Sequence, residues 1–299
     1  MQKRSVFALA LAAATVAALT GCSAGSSADD GKVRVVASTN VYGDIASTIA
    51  GNAVEVTSLM SDPAQDPHSF EASAQSQLAV SKADILIENG GGYDDFMNTL
   101  RTGSKNTKAT VLNVVDISGK KAVGGELNEH VWYDFPTIEK FTTTLTDALS
   151  KADPAQKATF TKNAAAFSGK LAALQNREAE LKAKYAGAGI AVTEPVPLYL
   201  LEAAGLVNKT PEKFSAAIEA GTDVSPLVLQ ETLALFSGHQ VKLLAYNEQT
   251  SGPETERVKA AATAAGIPVV PVTETLPAGK DYVGWMNANL DAVASALAK

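Results

Sequence analysis

The chain has 299 residues, of which 46% are hydrophobic and 19% charged, with a formal net charge of −7, one cysteine and three histidines. An acidic balance with no basic stripe interleaved with aromatics excludes the electrostatic footprint of a nucleic-acid binder, and the lone Cys22 excludes an intramolecular disulfide. So few histidines make the place of each one informative.

The chain opens with Lys3 and Arg4, then an uncharged apolar run from Ser5 to Thr20, then Leu19-Thr20-Gly21-Cys22. A positive start followed by a short apolar stretch is an export signal, and the stretch falls short of the roughly 20 apolar residues that a membrane-spanning helix takes. "LTGC" resembles a bacterial lipobox, which makes Cys22 the expected lipidated residue and residues 1–21 the removed signal peptide. "SAGSSADDG" is small and polar, so residues 22–31 read as lipidated cysteine and tether.

From Lys32 the pattern changes. Short β-branched runs alternate with helical stretches: "VRVVAS", "VEVTSLM", "ADILIEN" and "ATVLNVV", the last followed by a loop. Such alternation predicts parallel βαβ units over 32–153. A second set, "GIAVTE", "VKLLAYN" and "IPVVPVT", with intervening helical segments, predicts another α/β lobe over 187–299. Between them, over 154–186, Asp153 stands as N-cap and Pro154 at the first helical position. Phe160, Ala164, Phe167, Leu171, Leu174, Leu181 and Tyr185 keep a 3-4 spacing there. At 1.5 Å per residue that helix runs about 45 Å. The expected fold is therefore two parallel-sheet α/β lobes joined by one long rigid helix.

In open parallel sheets, ligands bind beyond the carboxyl ends of the strands. His68 follows "VEVTSLM", Asn89 closes "ADILIEN", His130 lies in the connection after "ATVLNVV", Glu194 closes "GIAVTE", and the "NEQTSG" loop closes "VKLLAYN". All fall on the same edge of their sheets, so facing lobes bring them into one cleft. A loop histidine taken alone reads as a surface residue, but two of them with a strand-end carboxylate make a nitrogen and oxygen donor set suited to Zn²⁺ or Mn²⁺. Each has a carboxylate near it, Asp66 for His68 and Asp134 for His130, of the kind that fixes the tautomer of a ligating imidazole. The competing reading has those acids capping the next helices. His239 precedes its strand and reads as an exposed loop residue, Trp132 and Phe70 as wall and core, and "NGGGYDD" as a turn. The hydrolase and phosphate-loop signatures G-x-S-x-G, G-x-x-x-x-G-K-[ST] and H-E-x-x-H are absent from the sequence.

The lipobox, "DPHSFEAS", "ENGGGYDDFM", "HVWYD", the long helix, "VTEPVPLYLLEAAGL", "AAIEAGTDVSP" and "YNEQTSGPETERV" together resemble the metal-ion solute-binding proteins of ABC transporters, the cluster 9 or A-I family. The resemblance implies a non-enzymatic, monomeric lipoprotein on the extracytoplasmic face of the cell membrane. It would capture Zn²⁺ or Mn²⁺ in the interlobe cleft and deliver it to a membrane permease. It implies His68, His130 and Glu194 as metal ligands, with a fourth from Glu248, the Ser251 region or water. The chain departs from the family's usual "DPHVWLDP" in having Asn128 and Glu129 ahead of His130, and it lacks a histidine-rich loop. Two other functions stay open from the residues alone: an extracytoplasmic zinc-dependent hydrolase, and a siderophore- or haem-binding protein of similar architecture.

Overall fold

Two parallel sheets account for every strand of the computed structural model, which describes residues 31–62, 70–122 and 127–299. The first contains β1 (Val33–Thr39), β2 (Val54–Met60), β3 (Ile85–Glu88) and β4 (Thr110–Asn113), in the order β2-β1-β3-β4. Its register pairs Val35 with Val56 on one side and with Ile85 on the other. The second contains β5 (Gly189–Val192), β6 (Val207–Asn208), β7 (Leu244–Asn247) and β8 (Val269–Val272), in the order β6-β5-β7-β8. Here Ala191 pairs with Leu244, and Leu244 with Val269. The β-branched runs form these strands because helices cover both faces of the sheets, and strands buried on both faces read as nearly continuous apolar segments. β3 is buried along its whole length.

The first lobe carries α1 (Asn40–Ala50), α2 (Ala74–Lys82), α3 (Phe96–Ser104), α4 (Val114–Ser118) and α5 (Phe135–Ala152). Asp134 starts α5 by accepting from the Thr137 backbone N at 3.0 Å, with Pro136 in the first turn. The linking helix begins as a 3-10 turn at Pro154–Gln156 and continues as α6 (Lys157–Tyr185), with Asp153 accepting from Ala155 N at its start. The second lobe adds α7 (Leu198–Ala203), α8 (Glu212–Glu219), α9 (Pro226–Ser237), α10 (Pro253–Ala264) and α11 (Tyr282–Leu297).

One continuous apolar cluster runs through both lobes. It joins the inner face of the first sheet (Val35, Ile85, Ile87), α1, α5, α6, the inner face of the second sheet (Ile190, Val192, Val270) and α11. Smaller clusters lie on the outer faces, with Val80, Leu86, Met97 and Leu100 on one side and Phe214, Phe236, Val258 and Ala262 on the other. Polar ties cross between the lobes. Asn40 exchanges two hydrogen bonds with the Leu276 backbone, Tyr282 N donates to Asp44 at 2.8 Å, Tyr282 OH to the Trp132 carbonyl at 2.7 Å, and Tyr133 OH to the Thr273 carbonyl at 2.8 Å. Residues 32–299 accordingly form one compact unit. Among the described residues, no helix is long and apolar enough to cross a membrane.

The buried stripe of α6 is Phe160, Ala164, Phe167, Leu171, Leu174, Glu178 and Leu181. Glu178 takes a place in that stripe where an apolar residue is expected. Burial, reinforced by the charge of Asp134, pushes its carboxyl up to about 8. Because this folded value lies above that of the unfolded chain, the carboxyl is protonated more readily in the fold. Its cost is absent at low pH and grows as pH rises from the unfolded value through the folded one. Glu178→Gln is therefore expected to raise the melting temperature at about pH 9 but hardly at about pH 4, and a difference that stays flat with pH contradicts this account. Gly169, on the solvent side of α6 with open space where a Cβ would stand, costs the helix backbone entropy for no packing return. Gly169→Ala is expected to stabilise the protein by about 0.5–1 kcal/mol in urea unfolding, and a loss of stability would show a constraint on that position.

Candidate metal site between the sheets

Both sheets reverse their strand order beside the first strand, between β1 and β3 and between β5 and β7. A crevice opens at such a switch point, outside the carboxyl ends of the strands. Past β3, Gly90, Gly91 and Gly92 take φ values of +80°, +70° and +99°, which side-chain-bearing residues rarely adopt. A Cβ on Gly90 would meet the Asn113 side chain at 2.3 Å. The turn is pinned by Asp94, whose carboxylate accepts from Asn89 N at 2.6 Å and Gly90 N at 2.8 Å. It delivers the buried ring of Tyr93 to the site, 6.0 Å from the imidazole of His130.

His130 is completely buried and leads into a 3-10 turn at Val131–Tyr133. Its ring is walled by Trp132, with centroids 5.0 Å apart. Asn128 holds the other side. Its Oδ1 lies 2.8 Å from His130 Nδ1 and accepts from His130 N at 3.1 Å, while its Nδ2 donates to the Pro195 carbonyl of the second lobe at 3.0 Å. The Asn128 carbonyl accepts from Tyr199 OH at 2.7 Å. With an acceptor at Nδ1, that nitrogen carries the hydrogen and Nε2 faces the cleft.

There Nε2 meets carboxylates from the second lobe. Glu219 Oε1, from the last residue of α8, is 3.4 Å away, and Glu274 Oε2, from the loop after β8, is 3.8 Å away. Nε2 makes no hydrogen bond of ordinary geometry among the described residues. Burial lowers the affinity of the imidazole for a proton, but Glu219, Glu274 and Glu129 outweigh it and push the group up to about 9. Glu129, His130 and Glu219 can each bring one donor atom within 4.8 Å of the others.

Glu194 lies just past β5, almost wholly buried. Its Oε2 accepts from the Thr250 hydroxyl, and its Oε1 has no hydrogen-bond partner among the described residues. Burial pushes its carboxyl up to about 7; Thr250 opposes this, while Glu219 and Glu274 add to it. Asn247, at the end of β7, donates to Glu274 Oε1 at 2.7 Å and to Thr250 at 2.9 Å. Gln249 Oε1 accepts from Glu274 N at 2.6 Å.

Of the residues expected from sequence, His130 and Glu194 are thus joined through Glu219 and Glu274, which sequence reasoning missed. Glu274 carried the same strand-end signal as Glu194, since it follows β8 by two residues. Glu219 carried none. Glu248 and Ser251, considered for a further ligand, are exposed, and Glu274 stands in the cluster instead. Asp134, expected to support His130, caps α5 and pairs with Lys120 at 3.2 Å; the supporting group is Asn128. His239 is an exposed turn residue at φ +48°. Trp132 is a wall, and Phe70 stacks on Phe96 with centroids 4.4 Å apart. His68 and Cys22 lie outside the described residues.

Comparison with known proteins gives the family and the fold. The chain is 28% identical to the metal ABC transporter substrate-binding lipoprotein FimA of Streptococcus parasanguinis over 58% of its own length, and the matched stretch spans only 60% of that relative. It is 25% identical to the manganese ABC transporter substrate-binding lipoprotein ScaA of Streptococcus gordonii, over 94% of this chain and 95% of that one. Its fold matches the periplasmic zinc-binding protein TroA of Treponema pallidum with a TM-score of 0.73 at 22% identity, covering 90% of this chain and all of TroA. Residues 35–296 match the family model for the periplasmic component A of the zinc-uptake complex, and the chain belongs to that family.

Proposed function

We propose that this chain is the solute-binding component of a metal ABC transporter, which captures Zn²⁺ or Mn²⁺ between its lobes and delivers it to a membrane permease. The observation that carries the reading is the pair of buried atoms His130 Nε2 and Glu194 Oε1, both without a hydrogen bond among the described residues, in a cluster with Glu274. Buried polar groups are satisfied unless something else is meant to satisfy them. One imidazole and several carboxylates form a donor set for a borderline or hard divalent cation. His130, Glu194 and Glu274 are the ligands in this reading, with His68, which follows β2 in the sequence, as a further imidazole. Lipidation of Cys22 would hold the protein on the extracytoplasmic face of the membrane, a reading that its likeness to substrate-binding lipoproteins supports.

The ligands come from both sheets, so the cation bridges them. A metal held at 100 times its dissociation constant stabilises the native state by about 2.7 kcal/mol. Glu194→Gln keeps the size but removes the charge, and the metal-induced rise in melting temperature is expected to shrink or vanish at equal Zn²⁺ or Mn²⁺. His239→Ala, on the exposed turn, should leave that rise intact. The opposite pattern would displace the site from the cleft.

Asn128 acts on the metal through His130. It fixes the imidazole with its carbonyl and grips the Pro195 carbonyl, next to Glu194, with its amide. Loss of a group that orients a metal-binding imidazole typically costs 10- to 100-fold in affinity. Asn128→Ala is expected to weaken binding by about that factor in a competition titration. Asn128→Asp, which keeps the acceptor for the imidazole, should recover a substantial part of it. Equal binding by wild type and Asn128→Ala would remove Asn128 from the machinery.

A further inference from the structure

We propose that Glu219 determines which cation the site accepts, by adding a carboxylate that favours a hard, oxygen-preferring, six-coordinate ion such as Mn²⁺ over Zn²⁺. The inference rests on the metal-capture reading and concerns a residue outside the ligand set proposed above.

Three observations converge on this side chain. Its Oε1 is the nearest carboxylate oxygen to His130 Nε2, at 3.4 Å against 3.8 Å for Glu274. It comes from a different element, the carboxyl-terminal end of α8, so it approaches from a side that neither β5 nor β8 supplies. Its placement also concentrates negative charge. A helix ends on the negative pole of its dipole, where an anionic side chain is disfavoured. Glu219 and Glu274 both act on Glu194. Glu219 is only 15% exposed and pairs with His130, but one imidazole faces several carboxylates, so the cluster holds more negative charge than that imidazole offsets. The imidazole it faces is wholly buried, with Nε2 aimed into the group and free of ordinary hydrogen bonds.

The chemistry of the donors then favours one class of ion. Zinc closes its shell with four ligands and is content with imidazole nitrogen. Even with His68 as the second imidazole of the reading above, nitrogen donors are outnumbered, because Glu194, Glu219 and Glu274 offer paired oxygens beside His130. An oxygen-rich, expandable shell suits Mn²⁺, and geometry and ligand type must set selectivity because raw affinity follows the Irving–Williams order toward zinc. An additional carboxylate contributes little to a four-coordinate ion whose shell is already complete. For a six-coordinate ion it supplies oxygens that water would otherwise provide.

The test uses the full-length protein stripped with a chelator, titrated separately with Mn²⁺ and Zn²⁺ against a fluorescent competing chelator. Glu219→Gln should lower Mn²⁺ affinity by about tenfold or more while changing Zn²⁺ affinity by less than about threefold, so that the preference moves toward zinc. Glu219→Asp, which keeps the charge on a shorter arm, should restore part of the Mn²⁺ affinity. Equal losses for both ions, or no loss for either, would overturn the proposal. Glu194→Gln separates this from the underlying reading. If it abolishes binding of both ions while Glu219→Gln leaves both untouched, the metal site stands and the role of Glu219 falls. If wild type binds neither ion, both fall together.

Discussion

The approach of His130 Nε2 to Glu219 and Glu274, at 3.4 and 3.8 Å, is the contact on which the other features of the site depend. It brings an imidazole and two carboxylates from different lobes out of water. In that setting the interaction of unlike charges is strong, but so is the penalty on any charge left over. Carboxylates outnumber the imidazole. Glu194 is raised first by burial and then by Glu219 and Glu274, while the same two carboxylates raise His130 against its burial, so the carboxylate gives up negative charge and the imidazole gathers positive charge. A divalent cation resolves it at once, because it supplies positive charge where the protein has concentrated negative charge.

Holding such an arrangement takes rigidity. Ligands must stay within a few tenths of an ångström of their places, and most of those proposed here follow strand ends or leave a tight turn. Parallel strands tied into a sheet move little, and the largest apolar cluster, passing from the first sheet through α6 and α11 to the second, is shared by both lobes and resists their sliding. The hydrogen bonds of Asn40, Asp44, Tyr133 and Tyr282 reinforce that join. Asn128 works at a smaller scale, since one amide fixes the imidazole and holds the backbone beside Glu194.

Much of this was legible in the residues. The β-branched runs gave seven of the eight strands, because a strand buried on both faces must be apolar along its length. The one missed, β6, has two residues and is too short to carry a pattern. The periodic stripe gave α6 but passed over Glu178, whose burial depends on what packs against it. The segment after β4 was read as a loop but begins with the short helix α4, whereas Asp134 caps α5, as the competing reading of that acid had it. His130 and Glu194 were singled out by the rule that ligands bind beyond the carboxyl ends of parallel strands, and both stand buried beside Glu219 and Glu274. Glu274 was open to the same rule and was overlooked in favour of Glu248, whose loop looked richer in polar groups. Asn128 was visible only as an oddity, since its meaning depends on the Pro195 carbonyl 67 residues away. Glu219 had no local sign, because a helix end enters a site only through tertiary packing.

The difference in how these residues are carried separates two tasks within one site. Glu194 and Glu274 follow strands of a sheet bonded into the common core, and their carboxylates are further tied to Thr250 and Asn247. Their positions are set by the fold. Glu219 closes a helix of eight residues and is followed at once by a turn, with Gly221 at φ +61°. That helix end is closed by its own backbone, since the carbonyls of Ala216, Ile218 and Ala217 accept from Ala220 N, Gly221 N and Thr222 N, so Glu219 is held at a capped terminus and not in a sheet. In the reading proposed above, the strand-borne carboxylates would fix where a cation sits, and the helix-borne one, arriving from another direction, would add oxygens for an ion with more coordination positions.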